Sequence, residues 1–263
     1  MGLKGITMNK TNLLVRYDKD LRLRIMYPEA RKEITDDVVR IIRRAPGMNV
    51  VSFTFVNERD LHRVIHNELE YFLPMQQPFT WKVYDHDLLP SLKGELQSHG
   101  FSRDDDPTDV MVLDVKKAPV FSPQPDDVEI HRIDTVDELQ DVSHVLDRVW
   151  GSRQTWINDL HGAHLRLPGS VSIYAAYVDE QLASIAWTYF PHGQFAMLSA
   201  GATLAEYRGQ GLFSRLLAKR LQEIGDRGYR YAVVEADPMS RSLVANHGFQ
   251  HLTTVHDFKW NGN

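Results

Sequence analysis

The chain has 263 residues and a net charge of −5; 43% of its residues are hydrophobic and none is cysteine. That length allows one large or two ordinary domains, and the lack of cysteine excludes disulfides, thiolate zinc sites and a cysteine nucleophile. Basic residues are scattered among acids, which argues against a nucleic-acid face, and no apolar run reaches the roughly 18 residues of a membrane helix. The amino-terminal residues carry no charged-then-apolar signal, so a cytoplasmic protein is expected.

Taken in chain order, Met48–Val56 reads as a buried strand, Glu58–Phe72 as a helix and Phe79–Asp85 as a strand rich in aromatic residues. A helix from about Leu88 to Gln97 leads into His99-Gly100-Phe101 and an apolar strand, Val110–Val115. Pro119, Pro123 and Pro125 then discourage helix interiors and central strands, which marks 119–127 as a linker between domains 1–118 and 128–263. Beyond it, Val128–Ile133 alternates like a strand. Val136, Leu139, Val142, Val145, Leu146 and Val149 recur at helical spacing, and 151–169 holds a second helix and a loop. Val171–Val178 and Leu182–Phe190, separated by Asp179-Glu180-Gln181, read as a hairpin. Gln194–Thr203 is a strand, 212–227 a helix and Arg230–Ala236 a strand. A short helix ends in His247-Gly248-Phe249, and a last strand runs near His251–Trp260. The succession strand, short helix, His-Gly-Phe, strand thus occurs twice. The first copy is either a degenerate repeat of the second or an unrelated α/β domain sharing a tripeptide.

The stretch joining strand 194–203 to helix 212–227 is the most informative. Gly209 and Gly211 can take backbone angles that turn successive N–H groups inward, and the positive end of the following helix favours a pyrophosphate in that hollow. A Walker-type loop is excluded, because no Lys-Ser/Thr follows Gly211. A dinucleotide fingerprint fails at Ser214, which stands where the third glycine belongs. A glycine turn that merely joins strand to helix is the other reading.

Arg208-Gly209-Gln210-Gly211-Leu212-Phe213 resembles the acyl-coenzyme A loop of the GNAT N-acetyltransferase superfamily, Arg/Gln-x-x-Gly-x-Gly/Ala, and Gly248-Phe249 resembles a second landmark of that family. The resemblance covers roughly Val128 to Trp260. It implies an α/β fold with a central mixed sheet flanked by helices, and an amino-terminal half that, lacking this loop, holds no cofactor. The activity implied is transfer of an acyl group, acetyl above all, from acyl-CoA to a small-molecule or peptide amine by direct attack, without a metal. The alternative is a domain that binds acyl-CoA as a sensor and transfers nothing.

Carried over onto this sequence, the resemblance gives the pyrophosphate to Arg208 and the loop Gly209, Gln210, Gly211, Leu212 and Phe213, aided by the Ser214 hydroxyl. The Thr203–Leu204 backbone would pair with the pantetheine arm, and an N–H of the preceding strand would polarise the thioester carbonyl. Phe213 departs from the small residue the family prefers. Counting back from Gly248, the family's frequent asparagine falls on Asp237 and its tyrosine acid on Val244, which cannot donate a proton. Ser240, Ser242 or a water is left for that role, and Leu243 is expected to keep an apolar helix contact. Glu235 and Asp237 are the candidate bases, although Asp237 before Pro238 equally suits a helix N-cap.

Other candidates are weaker. His62 and His66 lie four apart on a helix without a third ligand, and His161 and His164 share that weakness. His192 beside Gly193 could touch substrate. Asp104-Asp105-Asp106 lacks the glycine of a calcium loop. Trp156, Trp187 and Tyr189 fit either an acceptor pocket or a core.

Overall fold

A computed structural model describes residues 9–43, 48–119, 128–153 and 156–262, the side chains of 156 and 158–160 excepted. The expected linker, apart from Pro119, lies outside the described residues. In chain order the elements are α1 (Lys10–Tyr17), β1 (Ala30–Ile34), β2 (Val38–Arg43), β3 (Asn49–Thr54), α2 (Leu61–Phe72), β4 (Phe79–Tyr84), α3 (Leu92–Ser98), β5 (Ser102–Arg103) and β6 (Thr108–Asp114). They continue with β7 (Glu129–Ile133), α4 (Leu139–Trp150), α5 (Trp156–Leu165), β8 (Val171–Val178), β9 (Gln181–Tyr189), β10 (Phe195–Thr203), α6 (Leu212–Asp226), β11 (Tyr231–Ala236), α7 (Pro238–Ala245) and β12 (Gln250–Trp260).

The chain forms two compact units that do not follow the sequence halves. One gathers the residues up to Ile25, Arg31–Val110 and the end of the chain from His251; the other gathers Met26–Ala30 and Met111–Gln250. In the first, strands follow the order β1-β2-β3-β4-β12, with β5 on β12; in the second the order is β6-β11-β10-β9-β8-β7. The closing strand of the second sequence half, β12, therefore serves the first unit, and β6 is divided between the units after Val110.

Each unit is built on a parallel pair joined by a helix, a connection parallel strands need because a tight turn cannot reverse the chain twice. In the first unit β3 pairs β4 from Asn49↔Phe79 to Val51↔Trp81, and α2 is the crossover. Its buried Leu61, Val64, Ile65, Glu68 and Phe72 lie on one face at helical spacing. In the second, β10 pairs β11 through α6, whose buried face includes Leu212, Leu216, Leu217, Leu221 and Ile224. The β8–β9 hairpin turns on Asp179 and Glu180 alone, both with positive φ (48° and 63°), the two-residue geometry that matches strand twist.

The two His-Gly-Phe tripeptides adopt one turn. Gly100 and Gly248 have φ of 87° and 88°, the N–H of Phe101 donates to the Leu96 carbonyl, and that of Phe249 to the Val244 carbonyl. In both, the histidine Nδ1 bonds the carbonyl four residues earlier, at 2.7 Å for His99 and 2.9 Å for His247. The glycine is required because the chain leaves the helix through the left-handed region.

Hydrophobic spacing marks no element before Met48, where the structure has α1, β1 and β2. Buried polar residues hide that pattern: Arg22 is 2% exposed, bonds Asp87 at 2.7 Å and 3.1 Å, and lies over the Tyr84 ring at 4.0 Å.

Phe79 anchors the first core, fully buried, stacked on Phe72 at 4.1 Å and edge-on to Phe101 at 5.3 Å. Phe79→Ala should lower unfolding free energy in urea by about 3–5 kcal/mol; a loss below about 1 kcal/mol would show that this cluster does not organise the unit.

Candidate active site

In the second unit β10 and β11 part company. Their register runs from Phe195↔Tyr231 to Leu198↔Val234 and stops there. On its other edge β10 slips against β9 between Ser199 and Ala202, and Ala200 has φ of 40°, the mark of a bulge that re-aims backbone groups. Gly201 follows. A Cβ there would lie 3.4 Å from the Phe213 ring, so the glycine leaves the space that the ring occupies. This is how Phe213 is accommodated where the resemblance calls for a small residue.

Past β10 the loop runs through a short 3-10 turn, Ala205–Tyr207, into α6. Gly209 and Gly211 have φ of 77° and 76°, and open space surrounds the position of a Cβ on either. Residues 208–211 are exposed. Among the described residues, no protein acceptor takes the amides of Gly209, Gln210, Gly211, Leu212, Phe213 or Ser214, and no side chain caps α6. A helix start normally finds partners for its first N–H groups. Here they face outward with the positive end of the helix dipole, which fits a diphosphate.

The neighbouring side chains brace this loop. Arg208 Nε donates to the Thr203 carbonyl at 3.3 Å, Gln210 Nε2 to the Glu206 carbonyl at 3.4 Å, and Arg148 pairs with Glu206 at 2.7 Å. Of the two residues expected to pair with a pantetheine arm, Leu204 already gives its N–H to Ala183 and its carbonyl to Tyr207, both at 3.0 Å. Thr203 pairs with Ser184 of β9 and its carbonyl accepts from Arg208, so pairing with an arm requires Arg208 to turn away.

At the end of β11, Glu235 is exposed. Asp237 is the N-cap of α7, accepting the Ser240 N–H at 2.7 Å and the Ser240 hydroxyl at 2.6 Å. These bonds hold its carboxyl below the ordinary carboxylate range, which weakens it as a base. They also engage the proton of Ser240. Val244 is 4% exposed and packs in the core with Leu198, Leu217 and Phe249. Leu243, expected to make the helix contact, is instead 39% exposed. Asp237 caps α7, and Val244 is the residue turned inward.

One residue to which the sequence pattern assigns no role stands beside the loop. His247 Nε2 lies 2.8 Å from Ser214 Oγ, and its ring meets Phe213 edge-on at 5.5 Å. The His-Gly-Phe landmark carried the signal, but which helix it would face was not legible from sequence.

The remaining candidates lie elsewhere. His62 and His66 are exposed, His62 against the His99 ring and His66 beside Glu70. His192 is exposed, and Asp104 pairs with Lys259. Among the described residues no acidic or histidine cluster is arranged to hold a metal, and no helix is long and apolar enough to cross a membrane. Trp187 is 2% exposed, within the core under α4; the Trp156 side chain lies outside the described residues. His161 and His164 are buried on α5, where His161 bonds the Tyr189 hydroxyl at 3.1 Å and His164 lies 3.0 Å from Glu29.

Compared with protein-family models and with curated proteins, the sequence matches none. Its fold does match solved structures. A GCN5-related N-acetyltransferase from Kribbella flavida aligns at a TM-score of 0.67 and 13% identity, over 95% of this chain and 93% of that one. A tandem GNAT protein from the clavulanic acid biosynthesis pathway aligns at 0.63 and 13%, over 92% and 86%. A GCN5-related N-acetyltransferase from Sphaerobacter thermophilus aligns at 0.61 and 13%, over 87% and 81%. The chain has the fold of GNAT N-acetyltransferases along most of its length.

Burial, with His164 close by, pushes the His161 pKa from 6.5 down to about 3. Between those values the unfolded chain binds a proton that the folded one refuses, so stability falls as pH drops through that window, by up to about 1.4 kcal/mol per pH unit. Urea midpoints of His161→Gln should fall less between pH 6.5 and pH 4.5 than those of the parent; equal slopes would show that this imidazole is not the source.

Proposed function

We propose that the protein is an acyl-CoA-dependent N-acyltransferase, with acetyl as the group transferred and a small-molecule or peptide amine as acceptor, working in the cytoplasm without a metal. The observation that carries this reading is the set of unpaired amides from Gly209 to Ser214, exposed at the start of α6 beside two parted parallel strands. These amides would hold the diphosphate, with Arg208 turning from the Thr203 carbonyl to join them and Gln210 bracing the turn through Glu206. The Thr203 backbone would take the amides of the arm, and the bulged segment at Ala200 would supply an N–H to the carbonyl oxygen.

The acyl thioester, when bound, supplies an activated carbonyl for direct attack, and the chain's part is to orient it and to move protons. Glu235, exposed at the end of β11, takes the proton of the amine, while Asp237 fixes the start of α7 that borders the groove. No side chain at position 244 protects the departing thiolate with a proton, and a thiol's ordinary acidity makes unassisted departure tolerable. That same buried Val244 favours a second reading, in which the domain binds acyl-CoA as a sensor.

Acetyl-CoA at about a hundred times its dissociation constant should stabilise the full chain by about 2.7 kcal/mol in thermal unfolding. Arg208→Ala combined with Gly211→Asp should abolish that effect; persistence of the stabilisation would overturn the loop assignment. Thiol release with a panel of amines separates enzyme from sensor. In the enzyme, Glu235→Gln should lower kcat by roughly 10²- to 10⁴-fold while leaving acetyl-CoA binding in place; an unchanged kcat would remove Glu235 from the chemistry.

A further inference from the structure

The Ser214–His247 pair stands at the same loop, and its role there rests on the diphosphate reading of that loop. His247 Nδ1 lies 2.9 Å from the Leu243 carbonyl. A carbonyl only accepts, so Nδ1 carries a hydrogen and the neutral ring has a bare Nε2. That bare nitrogen lies 2.8 Å from Ser214 Oγ, and a bare nitrogen can only accept. The single hydroxyl proton of Ser214 therefore points at the imidazole, and the side of Oγ left for a ligand bears lone pairs alone. Lone pairs repel a phosphate oxygen. With a second proton on the ring, Nε2–H donates to Oγ, and the hydroxyl proton is released to turn towards the loop.

We propose that His247 is a positioning residue of the cradle: it decides whether Ser214 offers a proton or a lone pair, so that binding of a diphosphate draws a proton from solvent onto the imidazole. The step is a proton transfer alone: Nε2 gains a hydrogen that a buffer acid or hydronium loses. Affinity is then highest where the ring is charged and declines as pH rises. From α6 the ring faces Ser214 and the Phe213 ring, and from α7 the Leu243 carbonyl. In sequence, the charged residues of the loop and of the adjoining turns of α6 and α7 are Glu206, which pairs with Arg148, and the cations Arg208, Arg215, Lys219 and Arg241. The acids of β11 and of the start of α7 are Glu235 and Asp237, and Asp237 is held below the ordinary range by Ser240. The equivalent turn in the other unit does not have this property, since His99 presents its ring to His62.

Calorimetry with dephospho-coenzyme A, whose diphosphate keeps its charge near neutrality, tests the proposal on the full chain. From about pH 6 to about pH 8.5 the dissociation constant of the parent protein should rise roughly tenfold. At pH 7 the measured heat should vary with the ionisation enthalpy of the buffer, reporting proton uptake. Ser214→Ala and His247→Gln should each bind more weakly at pH 6, with a flat pH profile and no proton uptake. A parent profile that is flat, or a Ser214→Ala profile as steep as the parent's, overturns the role of His247 and leaves the cradle standing. Absence of binding by the parent protein at every pH overturns the cradle and this inference with it.

Discussion

Every α-helix begins with backbone N–H groups that its own turns cannot satisfy, and the structure at α6 depends on where those groups go. At α7 the same need is met within the chain by Asp237. At α6 it is not: Gly211 supplies no side chain, and the left-handed turns at Gly209 and Gly211 bring further amides to the same side. Two helices of one unit thus treat the same physical demand oppositely. One start is closed by a carboxylate, and the other has no side-chain cap.

The open start is held in shape by what surrounds it. β10 leads into the loop only after it has separated from β11, and the bulge at Ser199–Ala202 lets one edge stay paired to β9 while the other is released. Phe213 then fills the space above Gly201 and meets the His247 ring edge-on. A large residue at 213 is therefore part of a packed set, and a side chain at 201 would have to displace that ring.

The first unit shows the same scaffold without the opening. It has the parallel pair with a helical crossover and the same His-Gly-Phe turn after a short helix. Between β3 and α2, however, it has no glycine and none of the positive-φ residues, and Glu58 and Asp60 occupy a 3-10 turn there. Carboxylates at that point repel an anion. Both units have a parallel pair crossed over by a helix, and the loop that precedes that helix carries acids in one and glycines in the other.

Much of this was legible in the residues themselves. The strands and helices from Met48 onward follow from hydrophobic spacing, because a buried face must recur at the period of the element that carries it. The loop was legible because glycine alone takes φ near 77° without cost, so the turn is written in the residue type. What the sequence could not determine were relations between distant segments. The strand exchange that puts β12 beside β4 depends on which edge each strand finds. Likewise α1, β1 and β2 hide behind Arg22 and its acids, whose burial is stable only because Asp18, Asp87 and the Tyr84 ring converge on it from separate parts of the chain. The rotation of α7, which turns Val244 inward and leaves Leu243 outside, depends on how the helix packs on its unit. The meeting of His247 with Ser214 was likewise decided by tertiary structure, since a hydrogen bond between residues 33 apart requires packing that no local pattern encodes.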